Sequence, residues 1–94
     1  MELINPLVEQ YAEALTTPED DLLREINLFT AKNHPEYQML SGHLQGKLLE
    51  MVSQMIRPKR VLEIGTFTGY SALCLAKGLA SDGQLHTIEL RDLQ

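Results

Sequence analysis

The sequence predicts an α/β fold in which several helices precede a strand–helix–strand (βαβ) unit of a parallel sheet. Two observations predict it. Apolar residues in the first half recur at helical spacing, and after Pro58 two short β-prone runs enclose one further helical segment. A strand–helix–strand unit of this length needs a parallel pair of strands joined by a right-handed crossover. We therefore assign residues 1–57 to an N-terminal helical segment and residues 58–94 to the βαβ unit.

Helix caps and apolar faces predict two helices before residue 35. Asn5 is the predicted N-cap of the first helix, with Pro6 at its first position. The predicted apolar face of this helix consists of Leu7, Val8, Tyr11, Ala14 and Leu15. In the second helix, Thr17 is the predicted N-cap and Pro18 the first helical residue. Pro35 ends this helix because proline disfavours helix at the residue before it. The second apolar face consists of Leu22, Leu23, Ile26 and Phe29.

A third helix and the βαβ unit follow. Ser41 is the predicted cap of the third helix, and Pro58 ends it. The residues predicted to face inward are Leu44, Leu48, Met51 or Val52, and Met55. Residues 60–64 are predicted as the first strand, residues 70–79 as a helix and residues 84–90 as the second strand. The turn signal SDG separates that helix from the second strand.

The composition is that of a small globular protein, with 94 residues, 44% of them hydrophobic, and a net charge of −5. Neither half carries a basic patch, so we expect no nucleic-acid partner. No apolar run approaches the ~20 residues of a membrane span, and the N-terminus lacks the basic start of a signal peptide. The single cysteine, Cys74, excludes an internal disulfide and suits a reducing compartment. We expect a cytoplasmic protein without a membrane partner.

The stretch VLEIGTFTGYSAL, residues 61–73, carries the main functional signal. Loops that bind dinucleotides read G-x-G-x-x-G, which brings the backbone close to a pyrophosphate. Here Phe67 stands at the middle glycine position, and the neighbouring Glu63 would repel a pyrophosphate. The loop is therefore expected to bind a ligand that has positive charge and no phosphate. Gly65 would form a tight turn, and Gly69 would allow a close approach of helix and strand.

Two acidic residues map to one edge of the predicted sheet. Ligands of open parallel sheets bind at the carboxyl ends of the strands, where Glu63, Gly65 and Glu89 are expected. Glu89, at the end of the second strand, is placed to accept hydrogen bonds from both hydroxyls of a ribose. A cationic ligand with an adenosine and no phosphate describes S-adenosylmethionine (SAM), which carries an ammonium and a sulfonium group.

The stretches RVLEIGTFTGYSAL and GQLHTIEL resemble the opening of class I SAM-dependent methyltransferases, whose sheet is Rossmann-like and doubly wound. More narrowly, the chain resembles the cation-dependent O-methyltransferases, which include the caffeoyl-CoA and catechol enzymes. The preceding segment, MLSGHLQGKLLEMVSQMIRPKR, is similar in its Met, its Gln-Gly pair and its apolar helix. The resemblance implies an O-methyltransferase whose sheet is represented here by its first βαβ unit and is truncated after the second strand.

The resemblance also implies contacts at the methionine end of the cofactor. Ser41 would contact this end from the segment before the third helix, and Glu63 would lie near the amino group. Tyr70 and Ser71 would close over the same portion of the cofactor.

Gly65 and Thr66 would line the cofactor through their backbone, and Glu89 would hold the ribose. The full predicted cofactor-binding set is Ser41, Glu63, Gly65, Thr66, Gly69, Tyr70, Ser71 and Glu89.

The resemblance further implies a divalent metal in the full-length enzyme, which would grip two acceptor oxygens and lower the pKa of the reacting hydroxyl. Its Asp and Asn ligands would lie after Gln94, so no catalytic or metal-binding residue is predicted here. The 94 residues alone are expected to be inactive. The implied acceptor is a small molecule with a catechol-like hydroxyl. We also expect a homo-oligomer, a dimer.

Two other interpretations stay open from the sequence. One is a nicotinamide-dependent oxidoreductase, against which Phe67 in place of a glycine argues. The other is that the chain, as it stands, is a non-catalytic folding or interaction module. The second interpretation is compatible with the methyltransferase interpretation.

Overall fold

A computed structural model describes residues 5–90, apart from the side chain of Gln38. The chain forms α1 (Pro6–Leu15), α2 (Asp21–Asn33), α3 (Gly42–Ile56), β1 (Arg60–Ile64), α4 (Tyr70–Ala76) and β2 (Gln84–Ile88). A short 3-10 helix, Tyr37–Met39, lies between α2 and α3. Helices therefore precede a βαβ unit, as predicted. Residues 1–4 and 91–94 of the two predicted segments lie outside the described residues.

The predicted start of α1 and end of α2 are confirmed. The Asn5 side chain accepts a hydrogen bond from the Leu7 N–H at 2.9 Å, and Pro6 occupies the first helical position. Helix α2 ends at Asn33, ahead of Pro35, because proline restricts the residue before it to extended backbone.

The predicted start of α2 is wrong by three residues. Asp20, and not Thr17, is the N-cap, and its carboxylate accepts the Leu23 N–H at 2.8 Å. Asp20 also pairs with Lys77 just after α4. A carboxylate at a helix N-terminus is favoured by the helix dipole, and this one has an ionic partner as well. Because the Asp20 carboxylate caps the Leu23 N–H, the helix begins at Asp21 and Pro18 stays outside it.

Strands β1 and β2 pair in parallel, as predicted. In their register Glu63 lies opposite Thr87, so the two strands end at the same edge of the sheet. Strand β2 ends at Ile88, two residues earlier than predicted, and Glu89 therefore follows the strand.

The core lies between α2 and α4, with α3 packed beside it. Leu23, Tyr70 and Cys74 are its buried members, and four partly buried residues surround them: Ile26, Leu40, Leu49 and Leu73. Burial raises the pKa of the Cys74 thiol to about 11, so this thiol has the properties of a packed core group. The core includes residues from both sides of position 57 and joins the helices to the βαβ unit.

Helices α3 and α4 approach each other through small residues. The buried residues of α3 are Gly46 and Ser53. A Cβ on Gly46 would lie 2.7 Å from a ring carbon of Tyr70, and one on Gly78 would lie 2.2 Å from the Ser53 backbone. The Ser53 hydroxyl donates to the Leu75 carbonyl at 2.5 Å. Only the small-residue side of α3 permits this close approach, and it is the side that faces α4.

The predicted inward face of α3 is therefore wrong. The predicted residues that the structure leaves exposed are Leu48, Met51, Val52 and Met55. Helical spacing revealed an apolar stripe, but the stripe does not pack on α4. The apolar face predicted for α1 is likewise exposed, at Leu7, Val8, Tyr11 and Leu15.

Two predicted helix boundaries also differ. Ser41 precedes α3 with helical backbone angles (φ −60°, ψ −44°), and its side chain makes no capping hydrogen bond. Helix α4 ends at Ala76 and not at Leu79, because the Leu79 N–H bonds three residues back, to the Ala76 carbonyl, and tightens the chain into a turn.

Candidate cofactor-binding site

The loop between β1 and α4 contains three residues in left-handed backbone conformation. Gly65, Phe67 and Gly69 have φ angles of 99°, 54° and 94°. A Cβ at either glycine would meet no atom within 4 Å, so the backbone angle and not a lack of space calls for glycine. The close approach of helix and strand predicted for Gly69 is not observed. At Phe67 this conformation costs on the order of 1–2 kcal/mol because the residue has a Cβ.

Contacts on both sides hold Phe67 in this conformation. Its N–H donates to Glu89 Oε1 at 2.8 Å. Its ring contacts the ring of His34, the C-cap of α2, edge-on with centroids 4.5 Å apart. The Gly65 N–H donates to the Ile88 carbonyl at 2.7 Å. Glu89, predicted to hold a ribose, thus also organises the loop through one of its oxygens.

Hydroxyl groups from two elements converge on the Glu63 carboxylate. Ser71 Oγ, in the first turn of α4, donates to Oε2. Thr87 Oγ1, on β2, donates to Oε1 at 2.8 Å. Thr66 Oγ1 lies 2.5 Å from Thr87 Oγ1. These hydrogen bonds fix the orientation of the carboxylate at the end of β1.

The Tyr70 hydroxyl points into the helical part of the protein. The side chain is 1% exposed, and its hydroxyl donates to Glu19. Glu19 also accepts from Asn27 Nδ2 at 3.4 Å, and Asn27 Oδ1 accepts from the Tyr37 hydroxyl at 2.8 Å. Burial, followed by the hydrogen bond to Glu19, raises the pKa of Tyr70 above its usual value. The hydroxyl therefore stays protonated at neutral pH.

Two adjoining cavities lie at the carboxyl edge of the sheet. The smaller, about 50 Å³, is lined by Met39, Leu40, Ser41, Gly65, Thr66, Phe67, Tyr70 and Ser71. The larger, about 430 Å³, is lined by Met39, Ile64, Gly65, Phe67, Ile88, Glu89 and Leu90. Its volume falls within the ~300–1,000 Å³ typical of small-molecule pockets. Met39, Gly65 and Phe67 line both cavities, so the loop forms the wall between them.

The structure brings the predicted site residues together around these cavities. All of them line one cavity or the other except Glu63 and Gly69. Glu63 lies behind the loop, where Ser71 and Thr87 hold it. Gly69 is the N-cap of α4.

Sequence reasoning missed Met39, Phe67 and Thr87 as members of the site. Met39 could have been identified from the sequence, since it belongs to the segment on which the resemblance depends. The left-handed backbone of Phe67 could not have been predicted, because the sequence places no glycine, Asn or Asp there. Thr87 contacts Glu63 only through the register of the two strands, which the sequence does not specify.

The described residues contain no candidate metal centre. Within residues 5–90, no group of three or more His, Cys, Asp or Glu side chains could hold a metal ion. In the same part of the chain, no helix has both the length and the apolar character needed to cross a membrane.

Comparison with known proteins identifies the family. The sequence pattern described as O-methyltransferase matches residues 12–93. The chain belongs to the O-methyltransferase family. It is 35% identical over 83 residues to a catechol O-methyltransferase from Niastella koreensis. It is 33% identical over 72 residues to a caffeoyl-CoA O-methyltransferase from Stellaria longipes. Family membership decides against the oxidoreductase interpretation.

A solved structure agrees with the fold of this family member. The O-methyltransferase from Bacillus cereus in complex with S-adenosylhomocysteine (SAH) superposes with a TM-score of 0.78 and 36% identity. The match covers 92% of this chain and 39% of the Bacillus cereus chain. The sequence alignments cover 37% of the Niastella protein and 30% of the Stellaria protein. The chain thus spans about a third of the length of the curated relatives it matches. The predicted α/β, Rossmann-like fold class is confirmed.

Proposed function

We propose that these 94 residues are the cofactor-binding part of a SAM-dependent O-methyltransferase, which transfers a methyl group to a hydroxyl of a catechol-like or other small acceptor. Residues 58–94 would be the first βαβ unit of the SAM-binding domain, preceded by the helical segment of residues 1–57. Family membership supports the reaction class. The names of the relatives support the acceptor class, and the SAH complex from Bacillus cereus supports the cofactor.

One observation carries the choice of ligand. The Phe67 N–H, which in a phosphate-binding loop would face a pyrophosphate, donates to the Glu89 carboxylate. A second carboxylate, Glu63, lies near the end of β1, two residues before Gly65. Two carboxylates at one loop repel a phosphate and attract a cation. The residues present therefore fit SAM, which has no phosphate and two cationic centres.

Seven of the eight predicted residues then have a role in binding SAM, whose sulfonium supplies the reactive methyl group, and Gly69 shapes the loop as the N-cap of α4. Glu63 attracts the ammonium of the methionine portion, and Glu89 accepts hydrogen bonds from the ribose hydroxyls. The open face of Gly65 lets the cofactor approach the backbone. The other predicted residues with a role are Ser41, Thr66, Tyr70 and Ser71, which line the smaller cavity.

A divalent metal belongs to the chemistry that the resemblance implies, but no set of donors among residues 5–90 fits one. What the described residues provide is the binding and orientation of the methyl donor.

Calorimetric titration of the chain with SAH and with NAD tests the proposal. We expect binding of SAH and none of NAD. Glu89→Ala is expected to weaken SAH binding by ~1–3 kcal/mol, because charge-assisted hydrogen bonds are lost. Asp82→Ala is the matched control, because it removes the same charge from an exposed turn outside the site. Tight NAD binding, or equal SAH affinity of Glu89→Ala and Asp82→Ala, would contradict the proposal.

A further inference from the structure

We infer that Thr87 is a positioning residue, which aims the Glu63 carboxylate at the ammonium group of the cofactor. The inference depends on the proposed function and adds a residue that the sequence did not reveal. Thr87 lines neither cavity at the loop and contacts the site through the Glu63 carboxylate and the Thr66 hydroxyl, so its effect on a ligand is indirect.

The direction of the hydrogen bonds follows from the number of protons. Thr87 Oγ1 lies 2.8 Å from Glu63 Oε1, and an ionised carboxylate only accepts hydrogen bonds. The single hydroxyl proton of Thr87 is therefore donated to Glu63. Thr66 Oγ1, 2.5 Å from Thr87 Oγ1, must then be the donor to Thr87. The chain of donors runs from Thr66 through Thr87 to Glu63.

The arrangement holds the carboxylate from two directions. Thr87 reaches Oε1 from β2, and Ser71 reaches Oε2 from α4. Because Glu63 and Thr87 lie directly opposite each other in the parallel register, the two side chains stand on the same face of the sheet. The carboxylate is thus pinned between β2 and α4. A pinned carboxylate meets an ammonium without losing rotational freedom on binding.

Thr87→Val tests this role, because valine keeps the branched shape that suits a strand and removes only the hydroxyl. Thr87 is exposed, so the change leaves no buried cavity. Two ligands are titrated: SAH, which carries the ammonium, and 5′-methylthioadenosine, which lacks the amino-acid portion. We expect Thr87→Val to weaken SAH binding about tenfold, the usual effect of losing a hydrogen bond to a charged group. Binding of 5′-methylthioadenosine should stay unchanged.

Two further variants separate positioning from a general structural role. Thr87→Ser restores the hydroxyl and is expected to restore the affinity for SAH. In a Glu63→Ala background, Thr87→Val is expected to add no further loss, because the residue through which it acts is gone.

The outcomes are distinguishable. If the parent chain binds neither ligand, the proposed function fails, and this inference fails with it. If the parent binds SAH and Thr87→Val binds it equally well, only the inference is overturned. Equal losses for SAH and 5′-methylthioadenosine, or a full additional loss in the Glu63→Ala background, would show a structural role and would also overturn it.

Discussion

Phe67 is a residue with a Cβ in a backbone conformation that its neighbours Gly65 and Gly69 adopt freely. The Glu89 carboxylate and the His34 ring hold it there. The loop is thus fixed before any ligand arrives, which reduces the entropy lost on binding. Strained residues of this kind cluster at ligand sites. The observed outlier agrees with the site proposed from the cavities.

A substitution at Gly69 tests whether the left-handed backbone of this loop requires glycine. Gly69→Ala is expected to lower the free energy of unfolding by ~1–2 kcal/mol, because an L-residue is disfavoured at φ near 94°. Urea denaturation measures the loss. Gly69→Asn is the matched variant and should lose less, because Asn tolerates left-handed backbone. Since a Cβ at Gly69 meets no atom within 4 Å, a larger loss for Asn than for Ala would contradict this explanation.

Among the elements, α2 and α4 are joined by an ion pair at the N-cap of α2. The Lys77 side chain pairs with Asp20 and lies 3.4 Å from Glu50 Oε1 on α3. The hydrogen bond from Lys77, and then the one from the Leu23 N–H, hold the pKa of Asp20 below its usual value of 3.8. The same pair raises the pKa of Lys77 above 10.5. One lysine thus connects three helices at the corner where the predicted cap of α2 was wrong.

This ion pair predicts a pH-dependent stability. Because the folded pKa of Asp20 is depressed, its contribution is present above pH ~3.8 and is lost as the pH falls through the folded value. Because the folded pKa of Lys77 is raised, its contribution is present below pH ~10.5 and is lost as the pH rises further. Lys77→Met should therefore destabilise the chain at pH 7, by less than ~1 kcal/mol since the pair is solvent-accessible.

Urea denaturation at pH 7 and at pH 2 checks this expectation, and the deficit of Lys77→Met should be smaller at pH 2 than at pH 7. Lys59→Met is the matched control, because Lys59 and Asp82 are highly exposed and 3.9 Å apart. Its stability should equal that of the parent at both pH values. A deficit of Lys77→Met that is as large at pH 2 as at pH 7 would assign the effect to packing of the lysine stem.

The elements show what the sequence could and could not specify. Strand β1 was predicted to the residue, because Pro58 and Gly65 bound a short apolar run. The inward face of α3 was not, because periodicity reveals an apolar stripe but not which side a neighbouring helix approaches. Gly46 and Ser53 decided that side by allowing a close approach to α4.

The candidate site shows the same division. The position of Glu63 and Glu89 at one edge of the sheet followed from the parallel direction of the two strands. Thr87 stayed hidden, because its contact with Glu63 depends on the register and on side-chain rotamers. Their roles in binding remain predictions until the titrations are done.

At the scale of the whole molecule, the βαβ unit exposes one apolar face. Leu62, Ile64 and Ile88 share that face and are 65%, 81% and 51% exposed. Among the described residues, β1 pairs only with β2, so its other edge carries backbone donors and acceptors without a strand partner. Exposed apolar strands with an open edge recruit other chains. A domain of this size also has little stability in reserve.

We therefore expect the 94-residue chain to self-associate through this face when it is studied alone. Light scattering after size-exclusion chromatography, over a range of concentrations, measures the association. Leu62→Lys should reduce it, because a charge on an exposed strand blocks sheet-to-sheet contact. His86→Lys is the matched control, since His86 is the cross-strand neighbour of Leu62 and the change adds charge without removing apolar surface. A chain that stays monomeric at every concentration, with β1 amides that exchange slowly, would show that this edge is satisfied in solution. Both substitutions add a positive charge, but only Leu62→Lys removes an apolar side chain. If both reduce the association equally, the net charge of the chain and not its apolar face controls the association.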